Sequence, residues 1–341
     1  MSRPTLRDVA AKAGLSVTQV SRALNDHDDV AESTKLLARR VAAELRYLPN
    51  LDARRLKDPR TRNDTIGIVL QNDSLRFNDP FFGDLLTAMV AEAGAAGFQL
   101  TLSTHLSDTP PTEPYDLAIR RKQVDGFVLL RTMTGDPRIS FLLDAGIPFV
   151  TFGRPDGQNG FPAVELADDC FDPVVAHLLE LGHETIGCLV EPAHFALGQR
   201  RLEAFRQAAK RGGLHLHDTA VIEAGFHAGS GHDAAHELLN HSPRPTAIVA
   251  MNDLLAIGAM KAANTAGLSV PDDISIIGFD DIRAASQLRP TLTTVRMAAA
   301  EVAAGLIGQL VPAIEAGQID HAEYRVRTAL LIRESSGRSP E

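Results

Sequence analysis

The sequence predicts an all-α helix-turn-helix headpiece followed by an α/β core with two lobes, each a doubly wound parallel sheet. Three observations carry that expectation. The first sixty residues hold short, capped helical patterns around a glycine turn. From residue 64 onward, apolar strand runs alternate with helical runs in two successive series, the texture of parallel sheets covered by helices on both faces. Charge divides the same way. Residues 1–60 carry 12 Lys and Arg against 8 Asp and Glu, while the rest carries 22 against 35, a basic head on an acidic body of overall net charge −9.

In the head, Thr5 and Asp8 have capping-box spacing, with Asp in the place of the usual Glu or Gln. Leu6, Val9, Ala10 and Ala13 then share one helical face. Gly14 ends that helix, because the turn needs positive φ. Ser16 and Gln19 form a second capping box, and Val17, Val20 and Leu24 form an apolar stripe expected to pack inward, with Asn25 as the stop. A third helix is expected from about Ser33 to Leu45, on Leu37, Val41 and Leu45. Two short helices joined by a tight turn, then a third, make a helix-turn-helix. Its second helix turns Thr18, Gln19, Ser21 and Arg22 outward. Gln pairs bidentately with adenine, Arg with guanine, and Ser or Thr with bases or phosphates, so these side chains suit DNA. A small three-helix bundle with a polar face is the plainer alternative.

The stretch "RYLPNLDARRLKDPRTRND" follows, with Pro49 opening a segment of two helical turns crowded by Arg54, Arg55, Lys57, Arg60 and Arg62. A helix so short and so charged is marginal alone; it forms when a partner neutralises the arginines and covers Leu56.

"TLRDVAAKAGLSVTQVSRALN" and "ELRYLPNLDARRL" resemble the headpiece and hinge of the lactose-repressor (LacI/GalR) family of bacterial transcription regulators, with Leu15 and Gln19 as mild departures. The resemblance implies a recognition helix from Val17 lying in the major groove. It also implies a hinge helix that forms on the operator, Leu56 wedging into the minor groove. Such wedges unstack and kink the duplex. The DNA-contacting set it implies is Thr5, Ser16, Val17, Thr18, Gln19, Ser21, Arg22, Asn25, Asn50, Ala53 and Leu56. Domain boundaries follow at 1–48 for the DNA-binding domain, 49–63 for the hinge and linker, and 64–341 for the effector-binding and dimerisation core.

The core reads "TIGIVLQ" as a buried strand, "FFGDLLTAMVAEAGAAG" as a helix, "FQLTLSTH" as a strand, a helix from about Tyr115, then "VDGFVLLR". "ISFLLDAGIPFVTFGR" adds a helix and a strand, and a second series begins near Asp168 and runs to "DISIIGFDD". "HLLELGHETIGCL", "RRLEAF", "AMNDLLAIGAM", "DISIIGFDD" and "RPTLTTV" extend the resemblance over almost the whole chain, implying a two-lobed periplasmic-binding-protein-like core. Ligands of such sheets bind beyond the carboxyl ends of the strands. Carried over motif by motif, the ligand-facing residues are Arg201, Asn252, Asp280, Phe226, and Phe81 with Phe82; Ala204 replaces a family glycine. Arg154 and Asp169 follow less directly, since "ELADDCFD" departs from the family pattern. Carboxylate, amide and guanidinium groups around a phenylalanine face suit a polyhydroxylated ring. Asn252 as a helix cap and Asp280 as a cap on the next segment are the plainer alternatives.

Several function classes are excluded. No run of about 18 apolar residues is evident, so no membrane span is expected, and "MSRPTLRDVAAKAG" lacks a secretory apolar stretch. Cys170 and Cys188 make neither a disulfide framework nor a metal set. The "HDAAH" pair, His232 and His236, lacks the general-base Glu and a third ligand. No phosphate-cradling loop and no nucleophile–base arrangement occur. The expectation is a cytoplasmic, non-enzymatic, cofactor-free homodimer that binds double-stranded operator DNA and a small effector, a sugar such as a glucoside. A purine-responsive corepressed regulator is one rival, and a sugar-binding or sugar-modifying protein the other. The tail "LLIRESSGRSPE" carries no leucine heptad, so no tetramerisation helix is expected.

Overall fold

The structure, a computed structural model, describes residues 4–47, 62–71, 79–105, 108–319 and 323–340. It divides between Asn63 and Asp64 into two compact units. Asn50, Ala53 and Leu56 of the expected hinge lie outside the described residues.

The first unit holds α1 (Leu6–Ala13), α2 (Val17–Leu24) and α3 (Glu32–Glu44). Gly14 caps α1 at φ 66°, the left-handed conformation that stops a helix cheaply only at glycine. Val9, Ala10, Val20, Ala23, Ala38, Val41 and Ala42 form one buried cluster beneath the three helices. Small alanines at the contacts let short helices approach closely enough to enclose a core. Lys35, also buried, keeps its ammonium 3.0 Å from Asp26.

The second unit opens with β1 (Thr65–Gln71), α4 (Pro80–Ala95), β2 (Gln99–His105), α5 (Glu113–Arg120), β3 (Gly126–Leu129), α6 (Pro137–Asp144), β4 (Phe149–Phe152) and β5 (Ala163–Leu166). It continues with α7 (Asp172–Glu180), β6 (Ile186–Val190), α8 (Ala196–Gly212), β7 (Val221–Glu223), α9 (Ala228–Leu239), β8 (Ala247–Ala250), α10 (Asp253–Thr265), β9 (Ser275–Asp280) and β10 (Thr293–Met297). The chain ends with α11 (Ala299–Ala316), β11 (Glu323–Val326) and β12 (Thr328–Leu331).

Two six-stranded sheets result, ordered β2-β1-β3-β4-β5-β11 and β7-β6-β8-β9-β10-β12. Every pairing is parallel except β10 with β12. Strands buried on both faces read as unbroken apolar runs, and β3, β4, β6 and β8 are buried along their whole length. The strand order is the same in both lobes, but neither lobe is one continuous stretch of chain. After β10 the chain returns to the first lobe through α11 and β11, then crosses again to β12. In the second lobe, α9 and α10 pack backbone to backbone. A Cβ on Gly258 would stand 2.2 Å from the Ala228 carbonyl oxygen, so only glycine fits there.

One expectation is corrected. Helix α11 is long and apolar enough to cross a membrane by length and composition. Gln309, Pro312 and the terminal glutamates break its apolar run without making it polar. Its buried face, with Val302, Leu306, Leu310 and Ile314, belongs to the hydrophobic core.

Candidate functional site

The first unit presents α2 as an outward-facing helix. Ser16 Oγ accepts the Gln19 N–H at 3.1 Å, and Gln19 Oε1 accepts the Ser16 N–H at 2.9 Å, a complete capping box. Gln19 Oε1 thus uses one of its two lone pairs inside the helix, and the other remains beside Nε2 for a base edge. A revision concerns Val17. It lies in the first turn of α2, one turn ahead of the packed Val20, and is 41% exposed rather than buried. An exposed valine beside Thr18 suits the methyl group of thymine. Arg22 is held by an ion pair with Asp29, and Thr5 donates its N–H and its hydroxyl to Asp8, each at 2.7 Å. Those bonds hold the Asp8 carboxyl below its ordinary range. Ser21 and Asn25 are half-buried.

In the second unit, each sheet reverses its winding at β1/β3 and at β6/β8, and the residues just beyond those strand ends meet in one cavity of about 90 Å³. Phe81 and Phe82 reach it from the start of α4, where Asp79 Oδ1 accepts the Phe81 N–H at 3.0 Å. Asn252 follows β8 and Asp280 ends β9. Arg201 comes from α8, and Phe226 from the segment between β7 and α9. Thus Phe81, Phe82, Arg201, Phe226, Asn252 and Asp280, remote in sequence, line the same cavity.

Arg201 is buried at its floor. It donates to the Met251 carbonyl at 2.6 Å, to Asp280 Oδ1 at 2.7 Å and to Glu191 Oε1 at 3.3 Å, and its carbon lies 4.2 Å from the Phe279 ring centroid. Its Nε, also buried, has no hydrogen-bond partner. Asn252 does two things at once: its Oδ1 accepts the Leu255 N–H at 2.8 Å, capping α10, and its Nδ2 donates to Glu191 at 3.2 Å. Burial is the largest influence on Asp280 and pushes its carboxyl upward against the pull of Arg201. Asp79 is pushed up by burial as well. Behind them Asp253, fully buried, accepts the Thr294 hydroxyl at 2.5 Å and the Ile282 N–H at 2.8 Å, and burial raises its carboxyl to about 7. The turn there is strained, with Asp280 at φ 108° and Asp281 at φ 56°. Such outliers persist only where the surroundings impose them.

Two expected residues lie elsewhere. Arg154 lines a separate polar hollow of about 320 Å³, 3.4 Å from Glu165 and 3.5 Å from Glu323; these carboxylates draw its guanidinium away from the cavity. Asp169 is exposed and lines neither hollow. Conversely, Asp79, Arg131, Glu191 and Phe195 line the cavity without having been singled out in the sequence. Glu191 carries a legible signal, a charged residue directly after a buried strand. Arg131, directly after the buried run ending at Leu130, carries the same signal, and Phe195 carries none. His232 and His236 sit on α9, the former 3.0 Å from Asp233, and no group of three potential metal ligands occurs among the described residues.

Residues 5–50 match the family pattern of bacterial regulatory proteins, lacI family, and residues 175–336 match a periplasmic binding protein-like domain. The HTH-type transcriptional regulator CelR of Thermobifida fusca is 31% identical over 98% of both chains. The HTH-type transcriptional repressor PurR of Pectobacterium atrosepticum is 30% identical over the same share of both. Among solved structures, the CelR–cellobiose complex superposes with a TM-score of 0.75 at 30% identity, covering 98% of this chain and all of the other. The lac repressor dimer bound to operator and the anti-inducer ONPF has a TM-score of 0.83 at 25% identity and the same coverage.

Proposed function

Because the chain belongs to the lacI family of bacterial regulatory proteins, we propose that it is a homodimeric repressor of carbohydrate-utilisation genes whose grip on operator DNA is set by a sugar in the cleft. The observation that carries this reading is the cavity at the paired strand ends. There Asn252, Glu191, Asp280 and Arg201 line the same cavity as Phe81, Phe82 and Phe226. Polar groups with fixed positions suit ring hydroxyls, and the phenylalanine faces suit a C–H surface. The resemblance to a cellobiose-bound regulator supports a glucoside in particular.

Helix α2 is the DNA-reading element, with Val17, Thr18, Gln19 and Arg22 toward base edges. Thr5, Ser16, Ser21 and Asn25 serve positioning, and the stretch with Asn50, Ala53 and Leu56 serves as the hinge. A palindromic operator calls for a two-fold symmetric dimer. Coupling between cleft and operator is reciprocal: whatever factor the sugar applies to operator affinity, the operator applies to sugar affinity. A purine held between phenylalanine faces is the second reading, favoured by the three aromatic walls.

Thermal unfolding with cellobiose, glucose 6-phosphate and adenine separates the readings. A ligand selective for the folded state stabilises it by about 2.7 kcal/mol at a hundred times its Kd. A shift with cellobiose supports the sugar reading, and a shift with adenine alone replaces it with the purine reading. Operator binding by fluorescence anisotropy, with and without the shifting ligand, then gives the sign of the coupling.

A further inference from the structure

Arg131 follows β3 in the first lobe, and its guanidinium carbon lies 3.9 Å from the ring centroid of Phe226 and 5.7 Å from that of Phe195, both in the second lobe. The two rings meet edge to face at 5.0 Å. The perch is built rather than incidental. Arg131 has a left-handed φ of 50°, and its carbonyl accepts a hydrogen bond from the buried Arg138 at 3.0 Å. Arg138 pairs with the buried Asp136 at 2.6 Å, and Asp136 also accepts the Met133 N–H at 3.1 Å. Across the cleft mouth, the Thr132 carbonyl accepts the Ala196 N–H at 2.8 Å, and the Thr134 N–H donates to the His194 carbonyl at 3.0 Å. Helix α8, which has no side-chain cap, is thus capped from the opposite lobe.

We propose that Arg131 determines which ligands the cleft accepts, by occupying the face of Phe226 that a bound ring would take. This rests on the cleft being the effector site. A ring that stacks on Phe226 displaces the guanidinium to the ring's edge, where its N–H donors meet any oxygen the ring carries. A ring with hydroxyl or ether oxygens beside its apolar face supplies both the stacking surface and the acceptors. A flat ring poor in oxygen supplies only the first. The ligand class selected is an oxygen-bearing ring.

The chain contains no tryptophan, so Phe226→Trp places a single indole under the guanidinium, excited selectively over the three tyrosines at long wavelength. With Arg131 present the indole is covered, and adding Arg131→Ala should steepen acrylamide quenching about twofold, a cation over the ring face being the shield removed. Equal quenching with and without Arg131 overturns the proposal, and needs no effector to do so. Phe195→Trp is the second reporter if the first variant fails to fold. On native Phe226, calorimetric Kd values for cellobiose and adenine give the specificity as a ratio. Arg131→Ala should reduce the preference for cellobiose roughly tenfold, with Arg131→Lys between; an unchanged ratio overturns the proposal. If the native chain binds neither probe while the tryptophan reporter still responds to Arg131→Ala, the sugar reading fails and the stack stands.

Discussion

Removing the Asp280 carboxylate tests the floor of the cleft most directly. In Asp280→Ala the buried Arg201 loses its bond of 2.7 Å, while Glu191 at 3.3 Å and the Met251 carbonyl at 2.6 Å remain. Taking one partner from a buried ion pair costs about 3–5 kcal/mol, because the other charge stays desolvated. With Glu191 still in contact, the lower end applies, about 3 kcal/mol. The backbone supplies an internal control. Asp280 has φ 108°, a region that alanine enters only under strain and glycine enters freely. Asp280→Gly should therefore be less destabilised than Asp280→Ala by about 1 kcal/mol, even after the extra freedom of glycine in the unfolded chain. Urea unfolding of the full chain, followed by far-ultraviolet circular dichroism, reads both differences as midpoint shifts at constant slope. An Asp280→Ala variant within about 0.5 kcal/mol of the parent, the range of an ordinary surface substitution, would refute the ion-pair argument. Alanine and glycine variants of equal stability would refute the strain argument separately.

Three further outcomes are expected. Ser16→Ala removes the acceptor of the Gln19 N–H and should cost the headpiece about 1 kcal/mol; hydrogen exchange at the Gln19 amide checks it, and an unchanged exchange rate would count against the cap. Burial raises Asp253 to about 7, so the fold favours its protonated form. Its contribution is complete below the ordinary aspartate range and is lost as pH rises through about 7. Melting temperatures should therefore fall from pH 4 to 8 more steeply in the parent than in Asp253→Asn, and parallel profiles would exclude this. Burial pushes Cys170 up to about 12 and Cys188 upward as well, so neither thiol should react with a disulfide reagent at pH 8 until urea is added; labelling of the native chain would contradict the buried placement.

The sequence alone determined what depends on near neighbours along the chain. Capping boxes at Thr5–Asp8 and Ser16–Gln19, the Gly14 stop and the alternating strands and helices arise from contacts three or four residues apart, or from runs of a few residues. The cavity-lining positions Arg201, Asn252 and Asp280 were legible because each falls in a recognisable segment beside a strand end or on a helix face. Tertiary structure alone decided the rest. Val17 faced outward because the packed turn of α2 begins at Val20. Arg154 was drawn to Glu165 and Glu323, and Glu323 enters the first lobe only because the chain returns there through α11 and β11. Arg131 and Phe226 meet because two independently wound sheets present their strand ends to one cavity. No local pattern encodes a pair 95 residues apart; the pairing follows from which strand ends lie at each lobe's switch point, and that is fixed by the order of strands across the sheets.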